Sequence, residues 1–352
     1  MYSDFNLTYL LKLTNSKKGI FQHAKFSKPN PKFGYATDDN ARALILILHL
    51  TKNKKDYARF SKLIWLYFNF LKNAYNPKSK IFHNFLSASG KWLDKKGSDD
   101  CQARVLWALG CAVHYGFNKK EAKKLFNQLV FQIKEFTSPR SWAIGILGIY
   151  HYLSVLKNNK NNYKSILLDE IKILADKLFL LYQKCNNQNW HWYENYLTYE
   201  NARLAQGMLI AGHVLKKKKL IKIGLESLEW LLRIQTNKKD CLSLVGNEKW
   251  FLKGKKKSQF DQQPVEVPAL MDACFWAFRI TQDQKWIKEI KKCFEWFLGK
   301  NDLAVYLVNF KTGACFDGLE KDRVNQNQGA ESCLAWLWSL FVCKKLGIEK
   351  TY

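Results

Sequence analysis

Glycine and proline are scarce in this chain, 18 and 6 of 352 residues, which leaves no stretch that reads as a flexible linker between domains. The nine cysteines are scattered, with no CxxC pair and no histidine partner at zinc spacing, so neither a zinc module nor a disulfide framework is expected. Several lie in apolar helical runs and read as reduced packing residues. Nor does the opening segment combine a basic region, a long apolar core and a small-residue cleavage site, as an export signal would. The longest apolar stretch, Ser141 to Leu156, contains His151 and is too short to span a bilayer. A cytoplasmic protein without membrane association is therefore expected. There is no P-loop and no glycine-rich dinucleotide fingerprint after a strand, which removes the sequence basis for nucleotide use. No cofactor is expected, and no ligand spacing argues for a calcium or zinc site.

Acidic residues are also in deficit, 30 against 57 Lys and Arg, for a formal net charge of +27. Such an excess invites a nucleic-acid reading, because clustered cations bind phosphates through counterion release. Here the excess is nearly all lysine, dispersed in short runs such as Lys216 to Lys219 and Lys255 to Lys257. The eight arginines mostly sit inside apolar patterns, where reading bases is implausible. A solvated lysine-rich surface is the simpler account, and nucleic acid is not an expected partner.

What is present is apolar periodicity. Hydrophobic residues make up 47% of the chain, and their spacing at i, i+3, i+4 and i+7 gives a succession of helices with no strand-rich region. A local echo organises them: Thr37-Asp38-Asp39-Asn40-Ala41-Arg42 matches Thr198-Tyr199-Glu200-Asn201-Ala202-Arg203, and Asp99-Asp100-Cys101-Gln102-Ala103-Arg104 is a looser copy. Further starts fall at Ser138-Pro139-Arg140, Gln263-Pro264-Val265-Glu266 and Asn327-Gln328-Gly329-Ala330-Glu331. The six starts recur at the period of stacked helical hairpins. The helices they open, predicted at Ala41–Leu50, Ala103–His114, Trp142–Leu156, Ala202–Leu215, Val267–Ile280 and Ser332–Leu346, are apolar on most sides and read as an inner layer. Lysine-rich amphipathic helices near 55–73, 119–136, 163–184, 217–235 and 284–298 read as the outer layer. A helix near 5–14 or a C-terminal fragment must complete the sixth pair. The predicted fold is all-α, an (α/α)6 toroid formed by residues 1–352 as a single barrel domain.

In a closed ring the loops before the inner helices gather on one rim. Those loops are long and rich in aromatic residues, which points to function. On the rim fall Asp38, Asp39, Asp99, Asp100, Glu194, Glu200, Asp261, Glu266, Asp317 and Glu331, among Trp92, Trp190, Trp192, Tyr193, Tyr196 and Trp250. Sugars present apolar C–H faces to aromatic rings and hydroxyls to carboxylates, and a glycosidic bond is cleaved by one protonated and one ionised carboxyl. Each acid taken singly is explained as well by helix capping or by an i, i+4 ion pair, as for Asp38 with Arg42 and Asp100 with Arg104. As a set of five acidic starts beside aromatic loops, they favour chemistry. Cys101 replaces the second acid in its copy of the motif and is a minor nucleophile candidate. His83 and His191 fall in rim loops, whereas His49, His114, His151 and His213 read as packing residues.

Gly19-Ile20-Phe21-Gln22-His23-Ala24-Lys25, followed by Gly34-Tyr35-Ala36-Thr37-Asp38-Asp39-Asn40-Ala41-Arg42, resembles the opening of six-hairpin glycosidase-like domains found fused to bacterial glycosyltransferases. The resemblance continues at Ser98 to Arg104, Tyr199 to Arg203, Asp261 to Glu266 and Asn327 to Ser332. It implies an (α/α)6 barrel with carbohydrate chemistry or binding on its loop-rich rim, in a superfamily that also hosts lyases, phosphorylases and, in a related toroid, sugar epimerases. The reaction is not set by the fold. A nucleotide-sugar domain is lacking, so glycosyl transfer is not expected.

The leading expectation is a glycoside hydrolase-like enzyme acting on an oligosaccharide or polysaccharide. The acid and base are drawn from Asp38, Asp39, Asp100, Glu200 and Glu266, and Trp92, Trp190, Trp192 and Trp250 serve as sugar platforms. His83, Asp99, Arg140, His191, Tyr193, Gln263, Asp317 and Glu331 complete the expected binding set. A noncatalytic glycan-binding module partnering a separate glycosyltransferase, or a sugar epimerase using His83 and His191, are the alternatives.

Overall fold

The computed structural model describes residues 5–156 and 162–348. Twelve α-helices are found among them: α1 (Thr8–Leu13), α2 (Thr37–Leu50), α3 (Lys54–Ala74), α4 (Asp99–His114), α5 (Lys119–Leu129), α6 (Pro139–Leu153), α7 (Asn162–Cys185), α8 (Ala202–Val214), α9 (Lys218–Ile234), α10 (Glu266–Thr281), α11 (Lys285–Glu295) and α12 (Ala330–Lys345). The inner helices α2, α4, α6, α8, α10 and α12 pack side by side in chain order, and α12 returns to α2 and closes the ring. Each outer helix packs on the inner helix of its own hairpin. The sixth partner is N-terminal, because α1 lies against α12 with Tyr9, Leu10 and Leu13 buried.

The two layers follow from residue pattern. On the inner helix α4, all thirteen residues from Cys101 to Val113 are buried, as a helix flanked by neighbours on both sides and by an outer partner requires. The outer helix α5 buries only Ala122, Leu125, Phe126 and Leu129 and turns its lysines to solvent. Where α4 meets α6 the contact is backbone on backbone. A Cβ on Gly110 would collide with the Gly148 carbonyl oxygen, so two glycines set how closely these helices approach.

Three predicted helices end earlier than the apolar pattern implied, among them the one near 284–298, which stops at Glu295. The stretch expected over 119–136 ends as an α-helix at Leu129 and continues as a 3-10 helix over Val130–Glu135. Val130, Ile133 and Phe136 are all buried, and their spacing of three keeps them on one face only in the tighter helix. The helix expected to reach Leu156 stops at Leu153, where the Ser154 hydroxyl donates to the His151 carbonyl.

No strand-rich region was expected, and among the described residues the β-structure is limited to seven ladders with two residues a side and a few isolated bridges. They tie rim loops to one another, as where Tyr35–Ala36 pairs with Phe85–Leu86 and Phe251–Leu252 pairs with Tyr196–Leu197. All nine cysteines are free thiols. None of the described helices is long and apolar enough to cross a membrane.

Candidate active site

The inner helices all begin on one rim, and there the repeated motif shows what each of its residues does. Asn40, Gln102 and Asn201 occupy equivalent positions and bind rim backbone. Asn40 Oδ1 accepts from Ile20 N, Gln102 Oε1 accepts from Phe82 N, and Asn201 Oδ1 accepts from Thr198 N. Arg42, Arg104 and Arg203, two residues further along each motif, project toward the ring axis and converge on Glu200. Asp38 accepts from Arg42 Nε at 2.9 Å and Arg104 Nε at 3.1 Å, and Arg203 also pairs with Asp272 at 2.7 Å. Glu200 takes a left-handed backbone conformation, φ 42°, which delays the start of α8 to Ala202 and aims its carboxylate inward. Three guanidinium groups outweigh burial and hold that carboxyl well below the usual range.

Capping of their own helices explains few of the acidic starts. Among the acidic inner starts, a side-chain N-cap is made only by Ser98, which accepts from Cys101 N, while α2, α10 and α12 have none. Instead, several acids reach across to a neighbouring helix start. Asp99 accepts from Thr137 N and Ser138 N ahead of α6, and Asp317 accepts from Gly329 N ahead of α12. Glu266 accepts from the backbone N–H groups of Glu200 and Asn201 and from Asn201 Nδ2, ahead of α8. Its burial beside the Glu200 charge lifts the carboxyl to about 7 despite those donors.

Above the arginine layer the rim encloses a cavity of about 510 Å³. Seven carboxyl groups line it, those of Asp38, Asp39, Asp100, Glu200, Asp261, Asp317 and Glu331, against the guanidinium groups of Arg42 and Arg104. Asp39 is buried without an arginine in contact, and desolvation together with the nearby charges of Asp38 and Glu331 raises its carboxyl well above the usual range. Glu331 is open to the cavity, with 45% of its side chain exposed, and meets Arg42 Nη2 at 3.1 Å. Its pKa is also raised, by its surroundings and by Asp38 and Glu200, with Arg42 opposing. Asp100 accepts from Ser138 Oγ at 2.6 Å and from the Tyr199 hydroxyl at 2.5 Å.

The structure thus brings Asp38, Asp39, Asp100, Glu200, Gln263, Asp317 and Glu331 into one cavity and leaves the other expected site residues outside its lining. Glu266 lies behind it as the support of the α8 start. Trp190 and Trp192 are core residues, 4% and 0% exposed, and Tyr193 is buried with its hydroxyl bonded to Ser227, so none offers a ring to a sugar. Trp92 stacks on His83 and lines a separate outer groove with Tyr57 and Trp65. His83 Nδ1 donates to the Asp94 carbonyl, and His191 is bonded to Asn186. Trp250 is exposed but is held by Asn247 away from the cavity lining. Arg140 is consumed internally by Glu194 at 2.9 Å, by Thr198 and Asn201, and by the Tyr199 carbonyl, so it builds the 194–201 loop and is not free to meet an anion. Asp99 is likewise engaged at the α6 start. Cys101 does reach the cavity, but it is 1% exposed and burial raises its thiol well above the usual range, against a thiolate nucleophile.

The aromatic faces that do line the cavity are Phe85 and Tyr199, 39% and 41% exposed, with the Arg140 guanidinium 4.7 Å from the Tyr199 ring centre. Gln22 and His23 also line it. None of these was chosen from sequence. Tyr199 stands inside the repeated motif and His23 inside the segment that carried the family resemblance, and those were the available signals.

No family model matches this chain, and no curated protein matches its sequence. Solved structures match it over nearly its whole length. A sugar epimerase from a ruminal bacterium superposes with a TM-score of 0.75 at 11% identity, covering 99% of this chain and 97% of that one. The cellobiose 2-epimerase of Bacillus thermoamylovorans gives 0.71 at 13% identity, with 94% and 95% covered. A family 76 glycoside hydrolase from a bovine Bacteroides thetaiotaomicron strain gives 0.68 at 8% identity, with 97% and 77% covered. The chain has the six-hairpin glycosidase-like fold. In this toroid the acidic cavity occupies the mouth formed by the inner-helix N-termini.

Proposed function

We propose that this toroid is a carbohydrate-active enzyme that hydrolyses a glycosidic bond in its acidic cavity, with Asp39 as the acid and Glu331 as the carboxylate that activates water. The observation that carries the reading is the unequal pair. Asp39 forms no ion pair among the described residues, and its burial outweighs the more distant charges of Arg42 and Arg104 in keeping its proton, whereas Glu331 pairs with Arg42 and is open to solvent, and so is the one of the two that ionises first. Asp39 gives its proton to the departing glycosidic oxygen and Glu331 takes one from the attacking water; Glu331 then releases that proton to solvent and Asp39 regains one from it, which restores the starting pair. Phe85 and Tyr199 supply rings for sugar C–H faces, and Asp100, Gln263 and Asp317 supply hydroxyl partners. The family 76 glycoside hydrolase on the same fold supports the hydrolytic reading.

Incubation with a panel of glycans, read by mass, tests it. Hydrolysis adds one water per bond broken, and Asp39→Asn is expected to lower the rate by about 10²–10⁴-fold while the fold and glycan binding persist. Binding without turnover in the native chain would favour a glycan-binding module serving a separate glycosyltransferase. Epimerisation is the second enzymatic reading, favoured by the sugar epimerases on this fold and by His23 in the cavity wall. It leaves mass unchanged and interconverts free sugars, and His23→Ala would then abolish turnover.

A further inference from the structure

At the end of the ring opposite the acidic cavity, three consecutive inner helices present metal-binding side chains to one another. His49 lies in the last turn of α2, Cys111 one turn before the end of α4, and His151 in the last turn of α6. One ligand atom from each lies within 4.8 Å of the others. We propose that His49, Cys111 and His151 form a zinc site that closes this end of the toroid.

The chemistry fits from several sides. Zn²⁺ takes imidazole nitrogen and thiolate sulfur at about 2.0–2.3 Å in tetrahedral geometry, so the three atoms need to approach by only about 1 Å, within reach of side-chain rotation. His49 Nδ1 donates to the Ile45 carbonyl at 2.8 Å, which selects the tautomer whose Nε2 lone pair is available, as is usual behind a metal-bound histidine. The ring nitrogens of His151 make no hydrogen bond among the described residues, although its ring lies 5.5 Å from that of His49 and 5.7 Å from that of His114. A metal ion would engage one of them. His49 and His151 line a cavity of about 180 Å³, which leaves space for a water or exchangeable ligand at the fourth position. His114, with Nδ1 bonded to Ser154, borders the same space.

Opposing charge is present. Lys345 and Arg279 line this cavity and disfavour a cation, while Asp272 faces them. Binding converts the Cys111 thiol to thiolate and releases its proton to solvent, so the metal brings a compensating negative ligand with it. Buried packing among aromatic rings is the competing account, since the His49 ring meets Trp338 edge-on at 5.0 Å. Packing alone does not call for a thiol and two imidazole nitrogens on three helices to converge.

The test uses the full-length chain stripped with a chelator and titrated with Co²⁺, then Zn²⁺. Expected is one equivalent of Co²⁺ per chain, with visible bands of tetrahedral cobalt and a near-ultraviolet thiolate-to-cobalt band, both erased by Zn²⁺. His151→Gln and Cys111→Ser are expected to weaken binding at least about 100-fold, more than loss of an outer hydrogen-bond partner would. Cys241→Ser, at a cysteine partly exposed and remote from this end, should leave it unchanged. His151 is partly exposed, so its variant remains informative if the buried Cys111→Ser chain does not fold. Absence of stoichiometric binding, or binding that survives His151→Gln, overturns the site.

Discussion

Glu200→Gln removes one negative charge from the centre of the arginine layer and keeps the side-chain shape. In the native chain this carboxylate faces Arg104 directly and lies 3.4 Å from both Arg42 and Arg203, with Glu200, Arg104 and Arg203 almost wholly buried. Breaking a buried ion pair typically costs about 3–5 kcal/mol, because the partner is left charged without compensation. The lower end applies here. Asp38 still serves Arg42 and Arg104, and Asp272 still serves Arg203, so no guanidinium is left without a carboxylate. For a chain of this length the unfolding entropy is on the order of 0.7 kcal/mol/K, so a loss of about 3 kcal/mol lowers the melting temperature by about 4 °C. The pH dependence follows from the depressed carboxyl. Its stabilisation is present above the unfolded value near 4.5 and is lost as pH falls toward the folded value, so the native and variant proteins converge on acidification. Denaturant titration and calorimetry at pH 7 and at pH 3–4 measure both effects. A difference below about 1 kcal/mol at neutral pH, or one that widens in acid, refutes the structural role. Full stability with turnover lost would instead place Glu200 among the reacting carboxylates.

Other outcomes follow from the same geometry. Glu266→Gln keeps one acceptor oxygen and sets an amide NH2 against either the Glu200 N–H or the Asn201 donors, at an expected cost of about 1–3 kcal/mol, and turnover should fall only as far as the α8 start is disturbed. Because Glu266 is held near 7, its contribution is complete below about 4.5 and declines as pH rises through 7, by on the order of 3 kcal/mol. Stability of the native chain against that variant, measured from pH 4 to 8, checks the sign. Gly148→Ala drives a methyl into the backbone of Leu106 and Trp107, 2.9 Å away, and should cost about 1–3 kcal/mol by overpacking, read as a lower denaturant midpoint with an unchanged slope. If Asp39 is the acid, turnover should fall as pH rises through its raised pKa, and the fall should be absent from the residual activity of Asp39→Asn.

Much of the architecture was legible from local pattern. The six inner starts and the two layers follow from the 3.6-residue spacing of apolar residues and from the echo of the Asn-Ala-Arg motif, whereas the sixth partner, left open between an N-terminal helix and a C-terminal fragment, was decided by the packing of Thr8–Leu13 on α12. That pattern reports which side of a helix is dry, and dryness was sufficient to place Asp38, Asp39, Asp100, Glu200 and Glu331 at one mouth. It does not report direction within the dry region. Trp190 and Trp192 occupy loops that looked exposed, yet they fill the core, because a tryptophan in a rim loop of a packed toroid buries far more apolar area inward than it can against a ligand. Arg140 was expected to bind substrate, yet Glu194, Thr198, Asn201 and the Tyr199 carbonyl engage its guanidinium.

The chain's own sequence determined the helical repeat, the layer to which each helix belongs and the set of acids at the inner-helix starts, because periodicity and start signals act over a few residues. Only the tertiary structure decided which acids meet. The arginines of three different hairpins converge on Glu200, Glu266 turns away to support a neighbouring helix, and Asp39 is left without an ion pair among the described residues, near an open Glu331. His49, Cys111 and His151 have no readable spacing for the same reason, since they are brought together by closure of the ring and belong to separate turns of separate helices. Charge and coordination act through distance in space, and in a toroid that distance is set by the packing of hairpins far apart in the chain.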